Sequence, residues 1–325
     1  LVNPVLSSPV GQRNPAMLHR QEEPEYMGVR GYEAMSRKGW KGMEPMGPDI
    51  STSRPNFLIV GVMKAATTTL SDYLNLHPNI HIPTHEIHFF NADDKYKKGI
   101  GYYQSFFTPM PDEYRVGEKT PTYSYHQTSP GRIAQFNPDI KLIWIFRNPT
   151  LRAYSHYWFF VQNGQERYSF ETAIEWEPLR KIDNIGYSYV DRGLYIHQLE
   201  RYLQYFPREN MLFLLYEDFK KNPIGTIRKC FEFLELPVDV HLKDMSPSRN
   251  ITRLPRSVFL QYLAYKYFYR KFRIGYKMVS KLNLHGRADY PPLADKTRKQ
   301  LNEFYYPYNI QFSKLTGLDI SSWQS

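Results

Sequence analysis

Four short stretches of this chain combine charge with hydroxyl groups in spacings suited to work on anions. The first is Gly61-Val62-Met63-Lys64-Ala65-Ala66-Thr67-Thr68-Thr69-Leu70. Small residues let a backbone approach an anion closely, Lys64 adds a point charge, and the hydroxyls and amides at a helix start add donors. That is phosphate-binding chemistry. It is not the nucleoside-triphosphate loop, in which a lysine directly precedes the hydroxyl residue at the helix start. Here Ala65 and Ala66 separate Lys64 from Thr67. The plain structural alternative is an ordinary strand–helix turn carrying a surface lysine.

The second stretch pairs Arg147 with Ser155, eight residues apart. An arginine fork and a hydroxyl can converge on one phosphate; equally, Asn148 can cap a helix beside a surface arginine. The third is Thr84-His85-Glu86-Ile87-His88-Phe89-Phe90. In extended chain, residues two apart share a face, so Glu86 and His88 point into one cleft while His85 points away. A solvated polar loop is the alternative. The zinc pattern H-E-x-x-H is not present, since this reads H-E-x-H with no second half. The fourth is Gly117-Glu118-Lys119-Thr120-Pro121, where Pro121 ends a strand and fixes the direction of Lys119.

The elements that must position these groups are legible as alternating strands and helices. Phe57–Val60, Lys141–Phe146 and Met211–Tyr216 are short apolar runs of the kind buried in parallel sheets. A helical pattern opens in the threonine-rich segment and runs through Leu70, Tyr73 and Leu74. Another starts at Asn148-Pro149, a cap followed by a first-turn proline, and reaches about Phe160. Further helical patterns cover about 193–205, 223–234, 256–282 and 294–316. An acidic turn, Glu217-Asp218, follows the third strand. This alternation predicts an α/β fold, a central parallel β-sheet flanked by helices. In such sheets ligands sit beyond the carboxyl ends of the strands.

The chain has 325 residues, with 42% apolar and 23% charged residues, enough for one large globular domain. Its net charge of +10 favours anionic partners without choosing among them. No nucleic-acid motif is present, so no nucleic-acid partner is expected. Aromatic residues make up 16%, including 27 Tyr, and an aromatic-rich core is the default reading. The single cysteine, Cys230, excludes an internal disulfide. Asn250-Ile251-Thr252 is a formal glycosylation sequon. No run of roughly 18 apolar residues suggests a membrane-spanning helix. Residues 1–54 lack apolar periodicity and are read as an extended arm or stem, with residues 55–325 as the folded domain. The chain starts at Leu1, which leaves room for a removed leader or membrane anchor. Residues 256–282 are dense in Tyr, Phe, Lys and Arg, and three readings stand open: a basic amphipathic helix gripping an anionic glycan, one lying on an acidic membrane, or an ordinary helix packed by its aromatic face.

Pro55 to Leu76 resembles the 5′-phosphosulfate segment of sulfotransferases that use 3′-phosphoadenosine-5′-phosphosulfate (PAPS). It is most similar to the branch of the heparan sulfate 3-O-sulfotransferases and N-sulfotransferase domains, which reads G-V-x-K-[GAC]-G-T-x-x-L. Ala66 stands where glycine is usual, adding a methyl group without removing a donor. Phe146-Arg147-Asn148-Pro149 through Arg152, Tyr154, Ser155 and Tyr157 resembles the family's 3′-phosphate segment. The resemblance covers about residues 55–325, more loosely over 240–285.

The resemblance implies a P-loop-like nucleotide-binding sulfotransferase fold and an enzyme that moves a sulfuryl group to a hydroxyl or amine, with PAP as product. It implies that Lys64, Ala65, Ala66, Thr67, Thr68 and Thr69 cradle the donor and that Arg147 and Ser155 hold its 3′-phosphate. Similarity to E-x-H-F-F makes Glu86 the general base with His88 assisting, and similarity to E-K-[TS]-P-x-Y gives Lys119, with Lys64, the stabilisation of charge on the transferring group. Tyr216 matches a nucleotide-side Y-E-D-[LF] strand end. Arg192 and Tyr195 match an R-x-x-Y segment facing the substrate. Gly286 and Arg287 match a K-G-R loop over the nucleotide, with His285 where lysine is common. No metal is required, because protein cations carry the charge. A carbohydrate acceptor is expected. A small alcohol or natural product, or a non-catalytic polyanion-binding role, are the alternatives. The compartment is the Golgi lumen if an anchor was removed, or otherwise the cytoplasm.

Overall fold

A computed structural model describes residues 54–111, 114–239, 253–269, 271–287 and 289–323, with the side chains of 285–287 outside that description. The arm expected before residue 54 and the sequon at Asn250 lie outside the described residues.

Five parallel strands form the central sheet in the order β2-β3-β1-β4-β5. They are β1 (Phe57–Gly61), β2 (Ile80–His81), β3 (Arg115–Lys119), β4 (Lys141–Phe146) and β5 (Met211–Leu215). The helices between them are α1 (Thr67–Leu74), α2 (Asp93–Tyr96), α3 (Ile100–Gln104), α4 (Ser129–Phe136) and α5 (Pro149–Gln162), then α6 (Phe170–Glu175), α7 (Glu177–Asp183) and α8 (Tyr195–Leu203). After β5 come α9 (Tyr216–Lys221), α10 (Pro223–Phe233), α11 (Val258–Phe268), α12 (Arg273–Asn283) and α13 (Asp295–Thr316). A separate antiparallel ribbon pairs β6 (Arg253–Pro255) with β7 (Leu284–Arg287).

The three apolar runs are buried strands, as their composition predicts. β1 is buried along its whole length. The aromatic surplus is core: Trp144, Phe146, Tyr103, Tyr123, Tyr195 and Tyr202 are all at most 1% exposed. The tyrosine hydroxyls are satisfied, as buried tyrosines require; Tyr202 Oη, for instance, donates to the carbonyl of Tyr123 at 2.9 Å, while Trp144 Nε1 has no partner among the described residues.

β3 has only one apolar side chain in Arg-Val-Gly-Glu-Lys, yet it is almost wholly buried. Gly117 makes its pairing with β1 possible. A Cβ there would lie 2.3 Å from Cζ of Phe57, so the Phe57 ring occupies that space. The order of strands has a direct consequence for function. β3 and β4 are successive strands that flank β1 on opposite sides, so the topology switches direction at β1. Ligands bind at such switch points. With neighbouring strands about 4.8 Å apart, the ends of β3 and β4 stand about 10 Å apart across β1.

Four expectations need correcting. β5 ends at Leu215, its last partner on β4, and Tyr216 opens α9 instead of closing the strand. Glu217 and Asp218, expected as a turn, lie in the first turn of that helix, where acidic side chains complement the helix dipole. The pattern over 256–282 is two helices, α11 and α12, folded into a hairpin. Gln261 Nε2 donates to Ser280 Oγ at 2.9 Å, and Tyr269 and Tyr276 meet ring to ring at 5.2 Å. Both legs share one periodicity, and no proline or glycine marks residues 269–272, so the reversal is silent in the sequence. Gly286 and Arg287, expected in a loop, lie in β7.

The Phe57–Gly117 contact is directly testable. Gly117→Ala should lower stability by about 1–3 kcal/mol through overpacking, read as a fall in the urea midpoint with unchanged slope.

Candidate functional site

At the carboxyl end of β1 the chain turns into the cradle. The β1–β4 register slips between Ile59 and Gly61, bending the strand as it leaves the sheet. Gly61 is required there because a Cβ would lie 2.5 Å from Cβ of Ser124. Lys64 and Ala66 then take left-handed backbone angles, φ 71° and 64°. Left-handed residues set into right-handed chain gather backbone N–H groups into anion-binding concavities. Ala66 is the N-cap of α1, and Thr67, Thr68 and Thr69 form the helix's first turn, with Thr67 buried. The left-handed angle explains why glycine suits position 66: an alanine bears a Cβ penalty there.

On the β4 side, Arg147 follows the last residue of the strand and is held from several directions. Its Nη1 donates to the carbonyl of Lys64 at 3.1 Å, and its guanidinium lies 4.8 Å from the centre of the Tyr216 ring. Tyr216 is thus a platform beneath Arg147. Ser155 lies on α5, whose N-terminus is capped by Asn148 accepting from the Leu151 amide at 3.1 Å. Lys64 and Arg147 are therefore neighbours in one concavity. Ala65 is fully buried behind it.

On the β3 side, Lys119 is the last residue of its strand and only 4% exposed. Its ammonium reaches two partners: Thr68 Oγ1 at 3.1 Å and Glu86 Oε1 at 3.3 Å. The other oxygen of Glu86 lies 3.3 Å from His88 Nε2, and His88 Nδ1 lies 3.2 Å from Asn91 Oδ1. The structure therefore brings Glu86, His88, Lys119 and the cradle threonine into one connected group. Glu86 and His88 are half-exposed on a common side, with Ile87 buried between them. His88 reaches this position with φ 59°, so the segment is not a regular strand.

The Glu86–His88 segment is pinned by groups that the sequence reading passed over. Glu118 is fully buried and receives hydrogen bonds from Tyr103 (2.7 Å), Thr120 (2.5 Å) and Tyr123 (2.8 Å). Tyr123 Oη in turn accepts from the Phe89 amide at 2.9 Å, and Thr120 Oγ1 accepts from the His88 amide at 3.4 Å. Lys95 Nζ donates to the Ile87 carbonyl at 2.5 Å. Burial pushes the Glu118 carboxyl above its ordinary range, against the pull of the three hydroxyls. An acid inside a mostly apolar sheet, followed by Thr120 and Tyr123, was the available signal.

The electrostatics suit an anion. Burial, with repulsion from Arg147 and Arg152, lowers the Lys64 ammonium from 10.5 to about 8. Arg152 is fully buried; its Nη2 donates to the Tyr189 carbonyl, while Nε and Nη1 have no hydrogen-bond partner among the described residues. Arg147 Nε is likewise buried without a partner. Buried donors of this kind are expensive unless something accepts from them. Glu86 shows the reverse balance. Burial raises its carboxyl, but the His88 hydrogen bond and the Lys119 charge together hold it below 4.5.

Two matched residues sit deeper than a substrate-facing position. Tyr195 is 1% exposed, packs on Phe146 and donates to the Arg147 carbonyl at 2.8 Å, which makes it a prop behind the arginine. Arg192 is 6% exposed, donates to the Ile185 carbonyl at 3.2 Å and lies on the Tyr125 ring. Tyr195 opens α8 as expected, and Arg192 lies in the 3-10 turn just before it; both side chains are buried. Gly286 and Arg287 are described only as backbone of β7.

Residues 54–253 match the family model for the sulfotransferase domain. The mouse (Mus musculus) heparan sulfate glucosamine 3-O-sulfotransferase 5 is 33% identical over 277 residues, covering 83% of this chain and 74% of that protein. Mouse heparan sulfate glucosamine 3-O-sulfotransferase 3A1 is 29% identical over 278 residues, 83% of this chain; the alignment spans 64% of that relative's length. Among solved structures, a sulfotransferase from Alicyclobacillus acidocaldarius superposes with a TM-score of 0.65 at 25% identity, covering 84% of this chain and 100% of that one.

The strained cap gives a stability test at the cradle. Ala66→Gly should relieve the left-handed penalty by more than it adds to unfolded-state entropy, a net gain of about 0.5–1 kcal/mol. A thermal melt should show a rise of roughly 1–3 °C.

Proposed function

The chain belongs to the sulfotransferase domain family, and on that premise we propose that it transfers a sulfuryl group from PAPS to a hydroxyl of a glycan acceptor. The observation that carries this reading is the position of Lys119, whose ammonium is shared between Glu86 and the cradle's Thr68. One cation thereby joins the base to the anion site. The glycan acceptor rests on the names of the heparan sulfate relatives and on the net charge of +10.

The residues present fit a nucleotide with two anionic ends. Lys64, Thr67, Thr68 and the amides at the start of α1 would hold the 5′ end. Arg147, with its partnerless Nε, and Ser155 would hold the 3′-phosphate. PAPS supplies the activated sulfuryl group when bound and leaves as PAP.

Around that donor the chain's own groups divide the work. Glu86 is ionised at neutral pH, because its carboxyl is held below 4.5, and it takes the proton from the acceptor oxygen. His88, placed between Asn91 and Glu86, fixes the direction of the carboxylate. Lys119 sits in a nearly dry position, where a fixed cation stabilises developing negative charge far better than in water. Lys64 and Arg147 stabilise the departing bisphosphate. Tyr195 and Tyr216 hold Arg147 in place, and Glu118 holds the base-bearing segment. These are positioning roles.

Two measurements test the scheme. Isothermal titration should show PAP binding far more tightly than AMP or ATP, and Glu86→Gln should abolish transfer from PAPS to heparan sulfate while leaving PAP affinity within a few-fold. Equal affinity for the three nucleotides would remove the two-ended site, and full activity in the variant would remove Glu86 as base. A further measurement concerns Lys64. With its ammonium at about 8 in the free protein, a bound anion should raise that value, so PAP binding takes up protons near pH 8. Affinity should fall as pH rises above about 8. Titrations in buffers of different ionisation heats should report the uptake in the parent and a smaller one in Lys64→Met.

A further inference from the structure

The α11–α12 hairpin carries a surface that holds none of the side chains placed in the site above. It follows the end of the family match at residue 253. From Arg253 to Leu284 every charged side chain is lysine or arginine, eight in all, with no Asp or Glu. The interior of the hairpin is accounted for. Gln261, Ser280 and Asn283 hydrogen-bond across it, Tyr265, Tyr269 and Tyr276 stack, and Tyr276 Oη anchors it to the Asn163 carbonyl at 3.1 Å.

The outer face of α12 is different. Arg273-Ile274, Lys277-Met278 and Lys281-Leu282 recur at intervals of four, so the three pairs stack along one side of the helix. That side faces solvent: Ile274 is 66% exposed, Met278 60% and Leu282 74%, and the three cations are exposed beside them. Phe259, Tyr267 and Phe272, on α11 and at the turn, are also more than half exposed. An apolar stripe in water beside a wholly basic one is unlike a helix that packs by its apolar face. It matches the helices that lie in the interfacial plane of a bilayer.

We propose that this hairpin docks on an anionic membrane surface, with Ile274, Met278 and Leu282 entering the headgroup boundary and the lysines and arginines meeting acidic lipid. Charge decides between occupants. A second copy would bring an equally basic, acid-free face against this one. A sulfated glycan would satisfy the cations but leave Ile274, Met278 and Leu282 in water. An acidic bilayer takes both stripes at once. No described helix is long and apolar enough to cross a membrane, so the contact is peripheral among the described residues. The proposal is independent of the acceptor and of the roles given to Glu86 and Lys119.

The test is co-sedimentation of the full chain with phosphatidylcholine vesicles and with mixed phosphatidylcholine–phosphatidylserine vesicles. Binding should be tenfold or more tighter to the mixed vesicles and should weaken with salt. The variant I274S/M278S/L282S should lose about tenfold or more of that binding. Lys277→Glu with Lys281→Glu should do the same. Both variants should keep the parent's melting temperature and PAP affinity. Equal binding to the two vesicle types would overturn the proposal. So would parent-like binding by the triple serine variant. A parent dimer in light scattering that the triple variant converts to monomer would assign the face to a second copy and overturn it. Hairpin-dependent retention on heparin with no vesicle binding would assign it to glycan, with the same result.

Discussion

One buried ammonium ties this site together. Lys119 stands at the end of a strand with almost no access to solvent, and it divides its hydrogen bonding between a carboxylate on one loop and a hydroxyl on another. A cation removed from water is stable only where such partners surround it. Moving either loop would strand it. The geometry of the two loops is therefore mutual: against its burial, the His88 hydrogen bond and the Lys119 charge hold the Glu86 carboxyl below its ordinary range, and Glu86 and Thr68 both lie within reach of the Lys119 ammonium.

The second constraint is the crowding of positive charge beside β1. Lys64, Arg147 and Arg152 approach closely enough to lower the Lys64 ammonium, and donors on both arginines are buried without partners among the described residues. Like charges in a low-dielectric setting repel, so the fold holds them there against their preference. It does so with ordinary core packing. Tyr195 braces the Arg147 carbonyl, the Tyr216 ring lies against its guanidinium, and Arg152 is anchored on Tyr189. Much of the tyrosine-rich composition is spent on holding polar groups inside an aromatic core.

The hairpin follows a different logic. Where Lys64 and Arg147 are half-buried and Arg152 is buried, α12 exposes its cations beside apolar side chains.

The sequence by itself determined the parallel strands β1, β4 and β5, the helix starts at Thr67 and Pro149, and the residue types at the anion cradle. These are local properties: an apolar run, a cap, or a lysine among small residues has the same meaning wherever the chain carries it. Glu86 and His88 do share a side, but His88 reaches it through a left-handed backbone angle that the extended-chain reading did not contain. What needed the tertiary structure was everything set by neighbours distant in sequence. β3 was masked by its polar composition because Glu118 is made tolerable by hydrogen bonds from Tyr103, Thr120 and Tyr123. Tyr195 and Arg192 match a substrate-facing segment in sequence, and only the packing of Tyr195 on Phe146 and of Arg192 on the Tyr125 ring shows both buried. The break between α11 and α12 had no local marker, since it is stabilised by contacts between the two legs. The meeting of Lys119 with Thr68 and Glu86 depends on strand order, which places β3 and β4 on either side of β1, and no local pattern encodes strand order.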